Sequence, residues 1–557
     1  MKRSRKWLFV LFVPILLMGA AVLAIDPIVT RALRLVANKA DGTDHIITIA
    51  DVDVGLLSGQ LKVHGITIRP SDGQLSNDSA ATFTLDAKEL QLNGVDLPLL
   101  LRAEVLHVRT IRIIEPHVQH AFATTRRDRT LISDSMRTEQ QRFAEESPGE
   151  LDEMPASLAL IRLDTLAVVR ATFLSEDRAG IRPSLSVDEM DLFVRAVLMR
   201  IGDKGKLVVD RDRATLFLRN IHADLPPLYT FGIDSLRIEH PDDITRIFGI
   251  HVSPKFGAKQ YYAHVDEMTS LYRIQADSLV SKGLDLMREL QYGSFHAGNI
   301  SLFGALVEVH LDKSVKEGPF TRKPLPAEAI LGIPVDLSVD TVRIVDGEAH
   351  YSERIGRQDD YGTISFTDIE AMLTGLNNLP QWKPADLHLR GSANLAGHGS
   401  AELDLRMPMN TAKGEVFIKA SMDRLKATAL NSMTDDLVKV EATSGVIHRL
   451  HMTMTGDDQA AHGTVDMEYE NLQLQLNNSV QHAKFFSTLA NMVVKGKNLR
   501  TAGNYRQGTF AVKRRQDRSV FNYIWLCLRE GAMESVLPPA VTRTIRTQRA
   551  KTTTKKG

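Results

Sequence analysis

Histidines at short spacing are the side chains in this sequence best suited to bind a metal ion. His117 and His120 lie three residues apart, as do His448 and His451. Both pairs fall in segments that alternate between apolar and polar residues, a pattern typical of β-strands. Residues three apart in a strand point to opposite faces of the sheet, so neither pair can chelate one ion. The sequence therefore predicts no metal site.

No other set of residues matches a catalytic or cofactor-binding motif. The sequence lacks a GxxxxGK[ST] phosphate loop, a GxGxxG loop after a strand, an HExxH helix and a GxSxG turn. The single cysteine, Cys527, excludes an intrachain disulfide and a cysteine-based zinc site. We interpret His107 and His296 as hydrogen-bonding residues on the wet side of strands rather than as general bases. We predict that the protein is not an enzyme and uses no cofactor.

Charge is balanced over the 557 residues, with 68 Lys and Arg against 68 Asp and Glu. A balanced chain has no excess positive field that would attract a polyanion. We therefore expect no nucleic acid as a partner.

The N-terminus has the pattern of a membrane anchor. Four cations in residues 1–6 precede an uncharged run over residues 7–25, and the first acid is Asp26. As a helix, a run of this length rises about 28 Å, close to the roughly 30 Å hydrocarbon core of a bilayer. The cations should stay in the cytoplasm, so the body after residue 25 should be exported. The apolar side chains assigned to the anchor are Trp7, Leu8, Phe9, Leu11, Phe12, Ile15, Leu16 and Leu17.

A cleaved signal peptide is the alternative, since residues 22–24 (VLA) form a passable small-residue cleavage site. The apolar run is longer than the roughly 7–15 residues usual in signal peptides, and a second apolar stretch follows over residues 28–36. Both features favour the anchor. Under either alternative the body is exported.

Alternation of apolar and polar residues dominates the chain from residue 41 to 480. Residues 387–390 (LHLR) and 416–419 (VFIK) are examples, and turn residues such as Asp346-Gly347 recur between such segments. Strands of this kind have one dry and one wet face, which is typical of antiparallel sheet. We predict a mainly β fold with an elongated antiparallel body, either a repeating groove or sandwich-like, and with short helical insertions.

The pattern predicts a series of segments along the chain. They are a cytoplasmic basic flank (1–6), a transmembrane helix (7–25), a first β-rich module (26–270), a second β-rich module (271–480), C-terminal strands with an amphipathic helix (481–540) and a basic disordered tail (541–557). Within the first module, residues 124–155 are dense in charge and too poor in apolar residues to be buried. This composition predicts a mobile loop, or alternatively a loose exposed helix.

Two stretches of the sequence repeat. Residues 90–118 match residues 279–307 at an offset of 189, so that Ile111 meets Ile300 and Ile113 meets Leu302. Farther on, residues 163–168 (LDTLAV) resemble residues 339–344 (VDTVRI) at an offset of 176. An insertion or deletion in the polar connection explains the change of offset. We predict one β module used at least twice, with chance similarity between alternating segments as the alternative.

Helical spacing replaces alternation near the C-terminus, between residues 519 and 536. It predicts an amphipathic helix that Pro538-Pro539 ends. The tail beyond it has cations and no acid, which predicts affinity for anionic surfaces, or alternatively a purely solubilising role. The apolar face of the helix should consist of Phe521, Ile524, Trp525, Leu528 and Ala532, and the cations of the tail are Arg543, Arg546, Arg549, Lys551, Lys555 and Lys556.

The order of these features resembles the AsmA-like envelope proteins of Gram-negative bacteria, a family that includes the longer TamB and YhdP-type relatives. The resemblance rests on the anchor, on residues 47–52 (ITIADV) leading to 58–68 (SGQLKVHGITI), on residues 90–118 with their LxLxGVDL and IxIxxPxV patterns, and on residues 463–472 (GTVDMEYENL). It implies a single-pass protein of the cell inner membrane, with a cytoplasmic N-terminus and a periplasmic β-groove. The charged insertion at 124–155 and the basic tail depart from the family pattern.

For function, the resemblance implies phospholipid transport between membranes, or maintenance of outer-membrane biogenesis, without catalysis. Phospholipid acyl chains would be the partners. An ordinary sandwich core would use the same apolar residues, and a periplasmic scaffold for outer-membrane or other envelope proteins is the alternative function. The side chains expected to line the groove are Ile111, Ile113, Leu166, Val168, Ile300, Leu302, Val342 and Ile344.

Overall fold

The computed structural model describes residues 45–55, 59–70, 82–96, 105–122, 160–178, 184–201, 207–210, 212–225, 227–284, 294–354, 361–379, 386–409, 414–432, 440–476 and 495–537. The predicted anchor (7–25), the charged segment (124–155) and the basic tail (541–557) lie outside these residues.

Strands dominate the described residues, so the prediction of a mainly β fold is confirmed. The strands are β1 (His45–Gly55), β2 (Gln60–Pro70), β3 (Thr82–Val95), β4 (Val105–Phe122), β5 (Leu160–Asp177), β6 (Ser184–Ile201), β7 (Leu207–Asp210), β8 (Arg213–Leu225), β9 (Tyr229–His240), β10 (Ile244–Pro254), β11 (Ser270–Lys282), β12 (Ser294–Phe303), β13 (Leu306–Asp312), β14 (Asp336–Arg354), β15 (Tyr361–Asn377), β16 (Leu387–Leu395), β17 (Gly399–Met407), β18 (Val416–Met422), β19 (Leu425–Lys426), β20 (Val440–Gly456), β21 (Ala460–Leu476) and β22 (Gly508–Lys513).

Helices in the described part of the chain are few and mostly short, as predicted. They are α1 (Ala258–Ala263), α2 (Pro326–Leu331), a 3₁₀ turn (Ala427–Leu430) and the longer α3 (Val520–Val536).

The chain divides into two compact units, each with most of its contacts within itself. Unit 1 comprises Met1–His251 and Val280–Ser294, and unit 2 comprises Val252–Leu279 and Phe295–Gly557. The module boundary predicted between residues 270 and 271 falls within the first segment of unit 2.

In unit 1, neighbouring strands pair in chain order from β1 to β6, and β6 then pairs with both β7 and β8. β8 continues to β9. Each of these pairs is antiparallel except β4 with β5, which is parallel. Alternation of side chains does not encode strand direction, and the prediction of an antiparallel body does not hold at this pair.

Unit 2 follows the same plan. β11 pairs antiparallel with β13, β13 pairs parallel with β14, and antiparallel pairing then continues through β15, β16, β17, β18, β20, β21 and β22. The β13–β14 pair is therefore the second departure from the antiparallel expectation. The sheet is mixed.

The two units repeat one another in register. Leu85, Val118, Phe173 and Val187 are successive cross-strand partners in unit 1. Their counterparts in unit 2 are Ile274, Val307, Ala349 and Phe366, which are partnered in the same order. Val307 follows Val118 by 189 residues and Ala349 follows Phe173 by 176, the two offsets found in the sequence. The predicted repetition is confirmed.

A backbone irregularity is repeated with the register. Arg170 in β5 and Asp346 in β14, also 176 residues apart, both have left-handed backbone angles, with φ of 52° and 54°. Such angles are costly for residues other than glycine, so a local partner is needed to hold them. The N–H of Arg170 donates to Asp191 Oδ1 at 2.8 Å, and that of Asp346 donates to Glu370 Oε1 at 3.0 Å. One carboxylate on the next strand stabilises each irregularity.

Candidate functional site: the apolar sheet faces

The predicted groove residues of unit 1 lie side by side. Ile111 is the cross-strand partner of Leu166, and Ile113 is the partner of Val168, in the parallel β4–β5 ladder. Ile111 is buried, whereas the other three are half-buried. All four therefore share one face of the sheet.

Ile113 and Val168 belong to an apolar row that crosses eight strands, which we call the unit 1 row. Its inner members Val63 and Leu90 are buried, and the remaining six are half-buried. At about 4.8 Å between strands, the row is about 34 Å long, more than the roughly 15 Å that one acyl chain spans in half a bilayer core. The unit 1 row is Val52, Val63, Leu90, Ile113, Val168, Leu192, Leu216 and Ile238.

The opposite face of the same strands is polar where β2, β3 and β4 meet. Lys62, Gln91 and Arg112 are successive cross-strand partners there. Arg112 lies between Ile111 and Ile113 in the sequence and is exposed. One face of this part of unit 1 is therefore wet and the other dry, as the alternation predicts.

Unit 2 contains a similar row that begins at the predicted groove residue Val342. Val342 partners Leu373, and Ile344 partners Ala371, at the β14–β15 ladder. Ile300 and Leu302 lie on β12, which pairs with β14, and both are half-buried. The unit 2 row is Val342, Leu373, Leu389, Leu405, Ile418, Met454, Gly463 and Phe510.

Burial changes along the unit 2 row. Met454 and Ile418 are each 2 % exposed, whereas Leu389, Leu373 and Val342 are half-buried. The buried end belongs to a cluster that also contains residues of α3. One end of the row is therefore sealed as an ordinary core, and the end with the predicted groove residues is less covered.

Helix α3 covers the buried end of the unit 2 row by packing on β21 and β22. Tyr523, Cys527 and Gly531 are buried on its inner face, and burial raises the pKa of the Cys527 thiol to about 12. The predicted apolar face of this helix is wrong at Phe521, which is exposed. Ile524, Leu528 and Ala532 are only partly buried against the core. The actual contact combines one large aromatic residue, Tyr523, with small residues that apolar spacing does not detect.

A depression of about 630 Å³ lies on the polar face of unit 2. Arg343, Arg390 and Lys419 supply its cations, and its acids already have partners. Asp404, for example, lies 3.0 Å from His388 and 3.2 Å from Arg390, and these contacts hold its pKa below the usual value. The depression is therefore better described as a solvated sheet face than as a ligand site.

Histidines pair with hydroxyl groups in the parallel ladder of each unit. His120 Nδ1 lies 3.1 Å from Ser175 Oγ, and His310 Nδ1 lies 2.7 Å from Ser352 Oγ. Burial lowers the pKa of both histidines. His107 Nε2 makes a third cross-strand contact, 3.0 Å from an oxygen of Asp164. These histidines hold strands together, and the residues described here contain no group of three or more His, Cys, Asp or Glu placed to bind a metal.

No protein-family model matches the chain, and no curated protein matches it either. The AsmA-like resemblance therefore stays a prediction. Among the residues that the structure describes, no helix is both long and apolar enough to cross a bilayer. The predicted anchor, residues 7–25, is not among them.

Proposed function

We propose that this protein handles lipids in the cell envelope by binding phospholipid acyl chains along its apolar rows, without catalysis. Its N-terminal segment anchors it in the inner membrane, and its body lies in the periplasm. The observation that carries the proposal is the unit 1 row, an apolar strip across eight strands in which six of the eight side chains are half-buried.

A row of this kind suits a sliding hydrocarbon ligand. Each buried CH₂ group contributes about 0.8 kcal/mol, and successive strands offer nearly equivalent contacts. An acyl chain can therefore be held firmly and still move from strand to strand. No reaction is needed, which agrees with the absence of catalytic motifs in the sequence.

The direct test is photocrosslinking in cells with a photoreactive residue at one position at a time. At Ile113, on the dry face, the expected product is a lipid adduct identified by its mass. At Arg112, the next residue along the strand and on the wet face, no lipid adduct should form. A protein adduct at Ile113 in place of lipid would contradict the proposal and favour a scaffold for outer-membrane proteins.

A charge placed among the predicted groove residues on β12 tests the same proposal by loss of bound lipid. Leu302→Asp or Ile300→Asp should fold and lose bound lipid, because both side chains are half-buried and a carboxylate there repels hydrocarbon. The matched variant Asn299→Asp changes an exposed neighbour and should keep lipid. If Ile300→Asp prevents folding, the residue belongs to a closed core and the groove is not where we place it.

The membrane arrangement is tested separately. Alkaline phosphatase fused after residue 537 should be active, because the enzyme works only outside the cytoplasm. Replacing Lys2, Arg3, Arg5 and Lys6 with Asn should reduce that activity, since the cations set the orientation. An inactive fusion on the unmodified chain would place the body in the cytoplasm.

A further inference from the structure

Two phenylalanines are the most exposed large apolar side chains that the structure describes. Phe521 is 77 % exposed and Phe320 is 69 % exposed, and the next, Ile46, is 52 % exposed. Single exposed apolar residues are common on protein surfaces. Two such residues on adjoining segments, each with a larger exposed fraction than any other large apolar residue described, indicate a surface that binds a partner.

Both phenylalanines belong to unit 2 and lie on adjoining segments. Arg518 forms an ion pair with Glu317, and each phenylalanine follows one of these residues by three positions. The N–H of Lys323 donates to the carbonyl oxygen of Gln516 at 2.7 Å. These contacts hold the two segments together, so both aromatic rings are presented by ordered backbone.

Packing within the protein does not account for Phe521. It lies in the first turn of α3, two residues before Tyr523, which is about 200° around the helix. Tyr523 faces the core and is buried, so Phe521 points away from the sheet. The residue at this position is nonetheless a large aromatic one.

The surroundings of the two rings are cationic. Residues 313–323 and 513–521 contain eight Lys and Arg. Six acids accompany them: two within these segments, Glu328, Glu353 and Asp458 through ion pairs, and Glu267, whose carboxylate lies beside Gly318. Two positive charges remain in excess, and the lysines at positions 316, 323 and 513 are exposed. We call this surface, Phe320 and Phe521 with Lys316, Lys323 and Lys513, the Phe–Lys patch.

We propose that the Phe–Lys patch docks on the surface of an anionic lipid bilayer. The two rings enter the boundary between headgroups and acyl chains, and the lysines lie against anionic headgroups. Exposed aromatic rings combined with lysines are the features by which peripheral proteins bind such surfaces. A folded partner protein is less well matched, because the patch offers positive charge around two separate rings rather than one continuous apolar pocket.

Docking does not depend on the apolar rows, because the Phe–Lys patch shares no residue with them. Vesicle capture by the patch and lipid adducts at Ile113 are therefore independent measurements. Either can fail while the other succeeds.

The experiment uses the full chain with its N-terminal segment inserted in phosphatidylcholine nanodiscs. Vesicles of phosphatidylcholine and phosphatidylglycerol in equal amounts are added, and protein that floats with the vesicles is measured. Wild type should float with these vesicles and not with vesicles of phosphatidylcholine alone. High salt should weaken the capture, because it screens the lysines.

Three variants locate the surface. F320S and F521S should each weaken capture about tenfold, the equivalent of losing one buried aromatic side chain. Replacing Lys316, Lys323 and Lys513 with Glu should remove the preference for anionic vesicles. F248S changes an exposed phenylalanine of unit 1 and should float as wild type does.

Two results would overturn the proposal. One is capture by the F320S/F521S double variant equal to that of wild type. The other is no capture by wild type together with a fall in sedimenting mass in F521S, which would make the patch an interface between two copies. In every variant, protection of Cys527 from alkylation shows that α3 is still docked, so loss of capture cannot be ascribed to unfolding.

Discussion

The α-carbon of Gly508 in β22 lies against the carbonyl oxygen of Gly531 in α3, so closely that a Cβ at position 508 would overlap that oxygen. A Cβ at Gly531 would in turn overlap the side chain of Val465. Two glycines thus allow the helix to approach the sheet and cover one end of the unit 2 row.

Gly508→Ala should therefore displace α3 and uncover Cys527. Relieving overlap against backbone costs about 1–3 kcal/mol. In the wild type, burial and the raised pKa of the thiol, about 12, should prevent alkylation by iodoacetamide at pH 8. The variant should react, and Gly503→Ala, where a Cβ has no neighbour within 4 Å, should remain protected. Protection of Cys527 in both variants would contradict the helix contact.

Truncating a side chain should cost more protein stability at the sealed end of the unit 2 row than at its less covered end. Ile418→Ala should lower the free energy of unfolding by about 2–5 kcal/mol, because the side chain is fully packed. Val342→Ala, at the half-buried end, should cost about 1 kcal/mol or less. Both residues belong to unit 2, so urea titration follows the same transition. Equal losses would mean that the row is closed along its whole length.

A buried arginine in unit 2 should contribute more to stability than its exposed neighbour. The side chain of Arg514 is fully buried, pairs with Asp458, and donates to the carbonyl oxygen of Lys323 at 2.6 Å. Arg514→Ala removes these two charge-assisted contacts, although Arg322 and Gln516 still contact Asp458, and should cost about 2–3 kcal/mol. Arg515→Ala removes a surface pair with Asp517 and should cost about 1 kcal/mol or less. A similar cost for both variants in thermal or urea unfolding would contradict this difference.

Stability should fall on mild acidification because of His310. Burial lowers its pKa in the folded state from the usual 6.5, so the unfolded chain takes up the proton first as the pH falls. The contribution of His310 to the free energy of unfolding should therefore be fully present above about pH 6.5 and should be lost as the pH falls below that value. His310→Asn should make the decrease shallower between pH 8 and pH 5.

The strands and the repeat could be predicted from the sequence, because side-chain alternation directly reflects a sheet with one dry face. The repeat marked the segments of Ile111 and Leu166 as equivalent to later ones, but their pairing with each other is visible only in the structure. Strand direction could not be predicted. Parallel and antiparallel strands alternate in the same way, and β5 comes long after β4 in the chain.

The face of α3 could not be predicted for a different reason. Gly531 and Ser535 carry little or no apolar surface, yet they are buried because the backbones approach closely. Phe521 has the most apolar surface of its turn and is exposed. Spacing rules weigh the size of apolar side chains and cannot detect a contact that depends on small ones.

The shared register of the two parallel ladders affects how the gene can evolve by duplication. Because residues of both ladders are partnered at the same two offsets, 189 and 176, tandem duplication of the coding segment adds strands without requiring any existing residue to change its partner. Genes for chains of this design can therefore grow or shrink by whole modules. Evolution can adjust the reach of such a protein by copy number, leaving its side-chain chemistry untouched.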